Sequence, residues 1–94
     1  MTGEISVAEA KDLLEKEDFV LLDVRTSEEH YADRIEPCVH MDLFDDFEKK
    51  IKELDKNKKY LVLCRSGNRS NTAAEILNEK GFEAFNIRGG ILHW

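Results

Sequence analysis

The stretch best equipped for chemistry is Cys64-Arg65-Ser66-Gly67-Asn68-Arg69-Ser70. It sets one sulfur beside two guanidinium groups, a glycine, and small hydroxyl and amide side chains. No acid follows until Glu75, although the 94-residue chain carries a formal charge of -6. A thiol among positive charges and free backbone N–H groups is acidified, and its thiolate is a nucleophile. The same N–H groups suit a bound anion. The pattern predicts Cys64 as the nucleophile, with Arg65, Ser66, Gly67, Asn68 and Arg69 forming an anion-binding nest. The plainer alternative is a buried structural cysteine before a glycine turn, because free cysteine is among the most buried residue types. A strand, a cysteine, a basic glycine loop and a helix in that order favour the functional reading.

Such a loop must be held between two regular elements. Tyr60-Leu61-Val62-Leu63 is a continuous apolar run, as expected of a strand buried on both faces. Ser70 to Lys80 has helical periodicity, with Ala73, Ala74, Ile76 and Leu77 inward and Gly81 as the C-terminal cap. Cys64 would then sit at the carboxyl end of a parallel strand, where α/β sheets carry their ligand sites. The helix dipole would add partial positive charge beside it.

The rest of the chain alternates in the same way. Ser6 and Glu9 form a capping box that opens a helix through about Lys16. Phe19-Val20-Leu21-Leu22 reads as a strand, and Ser27 as the cap of a short helix through Tyr31. Cys38-Val39-His40-Met41 reads as a strand, residues 43–55 as an amphipathic helix with Phe44, Phe47, Ile51 and Leu54 inward, and Ala84-Phe85-Asn86-Ile87 as the last strand. Gly89-Gly90 leads into a final turn, and Phe82, Phe85 and Trp94 read as core. Strands alternating with helices predict one α/β domain over residues 1–94, a small parallel sheet with helices on both faces.

Other candidate residues take supporting parts. Asp23 and Arg25 end a strand on the same side of the sheet as Cys64, and Arg25 is within reach of Glu28 or Glu29. Buried charges of this kind need partners, so both are read as holding neighbouring loops. Ser70, where the helix starts, is a third supporting residue. Cys38 begins its strand whereas Cys64 follows the end of another, which separates them by about 10 Å or more. A disulfide needs Cα atoms within about 7 Å, so Cys38 is read as structural. His30, His40 and His93 are read as surface or packing residues.

Composition excludes several classes. An acidic chain with scattered Lys and Arg is not a general nucleic-acid binder. No apolar run is long enough to cross a bilayer, and the opening residues have no basic or apolar signal region. Two Cys and three scattered His match no zinc spacing, so no metal is expected. A cytoplasmic location is expected.

Four stretches together resemble the rhodanese family of single-domain sulfurtransferases. They are Leu21-Leu22-Asp23-Val24-Arg25, Glu28 through Ile35, the loop Cys64–Ser70, and Gly81-Phe82 through Trp94. The resemblance spans most of the chain and is most specific in the loop. Where the family carries Gly-His-Ile-Pro-Gly-Ala, this chain has Asp33-Arg34-Ile35-Glu36-Pro37-Cys38. The resemblance implies a rhodanese-like fold and a Cys64 persulfide, with no organic cofactor needed. It implies a small anionic sulfur donor such as thiosulfate, and cyanide or a thiol as acceptor. The backbone N–H groups of residues 65–69 would hold the terminal sulfur. Arg65 and Arg69 would attract the donor.

Two other functions share this loop. A cysteine phosphatase or arsenate reductase uses Cys-x5-Arg around a tetrahedral anion. Here Arg69 gives Cys-x4-Arg, a smaller cradle, and no aspartate among Asp42, Asp45 and Asp46 is marked as a general acid. A persulfide carrier serving a sulfur-relay partner protein needs the same loop as an enzyme, so the sequence leaves that alternative open.

Overall fold

The computed structural model describes residues 3–94. A five-stranded sheet with all pairs parallel runs in the order β1-β5-β4-β2-β3. Its strands are β1 (Glu4–Ile5), β2 (Phe19–Asp23), β3 (Val39–His40), β4 (Lys59–Leu63) and β5 (Glu83–Ile87). The helices are α1 (Val7–Leu13), α2 (Ser27–Ala32), α3 (Phe47–Lys50) and α4 (Asn68–Glu79), with 3-10 turns at Ile51–Glu53 and Gly90–His93.

β4 is the central strand because its apolar run can be buried on both faces. It pairs with β2 on one side and β5 on the other, Leu22 opposite Val62 and Val62 opposite Asn86. One face packs Leu22, Val24, Val62 and Cys64 against α3, the 3-10 turn after it and α4 through Phe47, Ile51, Ala73 and Leu77. The other packs Leu21, Leu61, Leu63 and Ile87 against α1 through Ala10, with Ile91 and Trp94 of the last turn alongside. Helices on both faces agree with the sequence reading. Among the described residues no helix is long and apolar enough to cross a membrane.

Several boundaries differ. α1 ends at Leu13, and the chain continues to Lys16 as a turn. Thr26, not Ser27, caps α2, because Thr26 and Glu29 form the capping box. The helix expected over residues 43–55 shrinks to α3 and one 3-10 turn. Asp42 Oδ1 accepts the Phe44 N–H, the local competition that aspartate offers a helix. Asp46 then adopts a left-handed conformation, φ 53°, and helix begins only at Phe47. Phe44 is consequently 74% exposed instead of inward. Phe82 is buried, whereas Phe85 and Trp94 are half-buried. β1 was not expected: two residues leave no periodic signal, yet Asn86 N–H to Gly3 O and Arg88 N–H to Ile5 O tie the segment to β5.

Candidate active site

Cys64 follows the last residue of β4, so its side chain falls on the α4 face with that of Val62. The residue is 1% exposed. α4 begins earlier than expected, at Asn68, and is capped by Gly67 with no capping side chain. The sulfur takes that place. The Gly67 N–H donates to Cys64 Sγ at 3.0 Å, and the amides of Ser70 and Ser66 face it too. The first turn of α4 holds no acid to compete for the helix's partial positive charge. Burial pushes the thiol up. The Ser70 hydroxyl and the amides of Ser70, Gly67 and Ser66 outweigh it, and the net shift is downward.

The loop is held from two further directions. Ser70 Oγ lies 3.2 Å from Cys64 Sγ and is also hydrogen-bonded to Asn86 Oδ1 of β5. The turn after β5 donates Ile91 N–H to Cys64 O at 2.9 Å and Leu92 N–H to Arg65 O at 3.2 Å. Arg65, Ser66 and Asn68 are exposed at the mouth, while Gly67 and Ser70 are buried.

Arg69 is placed differently from the expected anion ligand. Both its Nη atoms donate to Glu29 of α2, at 2.6 and 2.9 Å. Its charge is therefore compensated, and it clamps α2 onto α4. The Arg69 hydrogen bonds are the largest influence on Glu29, opposed by burial and aided by Thr26; together they bring its carboxyl from the usual 4.5 to about 2. The folded value lies below the unfolded one. The stabilisation is thus complete above pH 4.5 and is lost as pH falls towards 2. Both side chains remain about a quarter exposed, which screens the pair. Glu29→Gln is expected to cost about 1–2 kcal/mol at neutral pH and to flatten the acid limb of the stability curve. Urea unfolding at a series of pH values checks this; an unchanged acid limb would contradict it.

Asp23 and Arg25 form a buried bidentate pair, with Arg25 Nε and Nη2 at 3.0 and 2.9 Å from the Asp23 oxygens. Arg25 therefore does not pair with Glu28 or Glu29. Its Nη2 also donates to Asp33 O, and His30 Nδ1 lies 3.0 Å from Asp23 Oδ2. His30 stacks on His40, whose Nε2 bonds to Arg25 O. The pair sits at the same end of the sheet as Cys64. By strand alternation, however, the Asp23 side chain falls on the α1 face with Leu21, away from the sulfur. These contacts anchor α2 and the loop after it.

Asp23, His30 and Cys38 bring ligand atoms within 4.8 Å of one another. The Arg25 guanidinium already occupies the Asp23 carboxylate, which opposes a second cation there. Both cysteines are free thiols. Cys38 packs on the α1 face and Cys64 on the α4 face, so the sheet lies between them. An apolar cleft of about 490 Å³, lined by Phe19, Cys38 and Trp94 among others, lies beside the amino end of β2, away from the sulfur.

Sequence reasoning missed Asn86, Gly90 and the Arg69–Glu29 clamp. Asn86 did carry a signal, since asparagine is depleted from strands and needs a partner when buried.

A family profile described as Rhodanese-like domain matches residues 6–94. YtwF of Bacillus subtilis, provisionally named a sulfurtransferase, is 40% identical over 92 residues, spanning 97% of this chain and 88% of YtwF. A tRNA uridine(34) hydroxylase of Cytophaga hutchinsonii is 41% identical over 99 residues, spanning 99% of this chain but 32% of that protein. The thiosulfate sulfurtransferase GlpE of Coxiella burnetii is 33% identical over 95 residues, spanning 100% of this chain and 88% of GlpE. A crystal structure of a rhodanese-like domain protein from Staphylococcus aureus matches with a TM-score of 0.88 at 30% identity, covering 97% of this chain and 89% of that one.

Proposed function

The chain belongs to the rhodanese-like domain family, and from that premise we propose that it transfers a single sulfane sulfur through a persulfide on Cys64. The observation that carries this reading is the convergence of the Gly67 N–H, the Ser66 and Ser70 amides and the Ser70 hydroxyl on Sγ. Donors aimed at one sulfur stabilise its anion before any substrate arrives.

The proposed chemistry has two displacements. The Cys64 thiolate attacks the outer sulfur of thiosulfate or of a persulfide donor. The donor's sulfur–sulfur bond breaks, and sulfite or a thiolate leaves with the electron pair. The acceptor, cyanide or a thiolate, then attacks the terminal sulfur of Cys64–S–S⁻. It departs as thiocyanate or a new persulfide, and the Cys64 thiolate is restored. No proton donor is needed for either leaving group. Arg65, exposed at the mouth and with no side-chain partner among the described residues, is the cation offered to an anionic donor. Arg69 acts at one remove, by holding α2 against the loop.

The same placement of Arg69 speaks against phosphatase chemistry. A tetrahedral phosphate needs a guanidinium free to close on it, and both Nη atoms here are bound to Glu29. Asp45 pairs with Lys50, which removes one of the aspartates weighed as a general acid. The name of GlpE supports thiosulfate as a donor to test first.

Steady-state assay with thiosulfate and cyanide tests the reading. Thiocyanate formation with parallel double-reciprocal lines is the expected result, the signature of a covalent intermediate. Intersecting lines would require donor and acceptor bound together and would overturn the two-displacement scheme.

A further inference from the structure

Ser70 faces a conflict of hydrogen-bond arithmetic. Its hydroxyl has one proton, and both of its partners, Cys64 Sγ and Asn86 Oδ1, stand as acceptors. An amide oxygen can only accept. While the Ser70 proton is on Asn86, the hydroxyl can offer the sulfur only lone pairs, which suits a protonated thiol. A sulfur anion needs that proton back, and Asn86 Oδ1 is then left without its donor. All three residues are buried, Cys64 at 1%, Ser70 at 0% and Asn86 at 3% exposure, so water does not settle the competition.

The carboxamide offers its own solution. Turned over, Asn86 presents Nδ2 to Ser70 Oγ, and the hydroxyl is then committed to the sulfur. The other end of the amide faces Glu4, whose Oε2 accepts from Nδ2 at 3.3 Å in the present orientation. Glu4 is exposed and also contacts Arg88, so it can swing aside. We propose that Asn86 is a positioning residue that sets, through Ser70, how readily the Cys64 sulfur gives up its proton. Oδ1 towards Ser70 retains the thiol, and Nδ2 towards Ser70 supports the anion, whether thiolate or persulfide. This deepens the sulfur-transfer reading and rests on it only for the importance of that anion.

Among the described residues, Glu4 is the one charge at this end of the sheet that touches the relay, through Asn86 Nδ2. α2 and α4 contribute Glu29 and Arg69, paired with each other, and His30; β2 and its end contribute Asp23 and Arg25, also paired. The loop contributes Arg65, the segment after β3 Asp42, and the β1–β5 edge Glu4 with Arg88 and then His93. Replacing Asn86 by an apolar residue changes none of these charges.

The test follows the ultraviolet absorbance of the Cys64 thiolate against pH, in a Cys38→Ser background so that one thiol titrates. Asn86→Leu, branched at the same atom though larger, removes the competing acceptor and leaves the Ser70 proton to the sulfur. The expected result is a midpoint at lower pH, with roughly fivefold more thiolate in mildly acidic buffer, the worth of about one hydrogen bond. In a Ser70→Ala background the same substitution is expected to have no effect. An unchanged midpoint in Asn86→Leu, or an equal shift without Ser70, would overturn the proposal. Asn86→Val replaces leucine if that variant does not fold, with the same expected outcomes. The titration uses no sulfur donor, so its failure is distinct from a failure of sulfur transfer.

Discussion

Cys64→Ser is expected to leave a folded protein with at least about 10³-fold less sulfur transfer. Serine is nearly the same shape and can still accept from the Gly67 N–H, so stability is expected to change by about 1 kcal/mol or less. What is lost is the nucleophile. The site is organised to lower a thiol, with an acid-free helix start and the Ser66, Gly67 and Ser70 amides directed at one atom. The same donors cannot bring a hydroxyl to an anion at neutral pH, and an oxygen does not form a persulfide. Thiocyanate release and thermal unfolding, measured together, separate the two effects. A variant that keeps about a tenth or more of the wild-type rate would mean that the sulfur passes elsewhere.

Gly90→Ala is expected to give the largest loss of stability, and it acts on the same loop. A Cβ at Gly90 would lie 2.5 Å from both Cys64 O and Arg65 O, and 2.6 Å from Arg65 C. These are backbone atoms at the base of the cradle. They cannot turn away as a side chain can, and Ile91 and Leu92 donate hydrogen bonds to the same two carbonyls. The residue also has φ +59°, which adds backbone strain for alanine. The loop or the final turn must move, at a cost of about 3 kcal/mol or more. For a domain of this size that corresponds to a fall in Tm of roughly 15 °C. Gly81→Ala is the natural comparison. Its φ is also positive, but its Cβ would meet only Lys56 Nζ at 3.4 Å, so strain without a clash is expected to cost about 1 kcal/mol. Equal losses in the two variants would show that the close packing of Gly90 on the loop contributes nothing.

The legible parts of this protein are those that local chemistry determines. β2 and β4 stand out as continuous apolar runs because a parallel sheet covered on both faces leaves no polar side, whereas the apolar run of β5 is broken by Asn86. α4 stands out by its alanine and leucine spacing. The loop stands out because cysteine, glycine and two arginines at a strand end have few other uses. Misreadings arose where a short polar side chain overrode periodicity. Asp42 and Asp46 unwound the first turn of the helix expected over residues 43–55, so an apolar Phe44 ended in solvent. The partners of buried charges were legible only as a need. Arg25 required an acid, and the one it found was Asp23, two residues back at the end of β2. Arg69 found Glu29 forty positions away, a pairing that only the packing of α2 against α4 creates. Asn86 belongs to the same class. Its type announced a buried hydrogen bond, while the partner that matters, Ser70, is brought by a different element.

The central claim is that β4 delivers a thiolate into a ring of amides that holds one extra sulfur. The most direct measurement is the mass of the Cys64 peptide after treatment with a sulfane donor and removal of excess reagent. A gain of about 32 Da on that peptide, reversed by cyanide with release of thiocyanate, is the result expected of a persulfide. A Cys64 peptide that stays at its original mass with every sulfane donor, or a gain found on Cys38 alone, would contradict it.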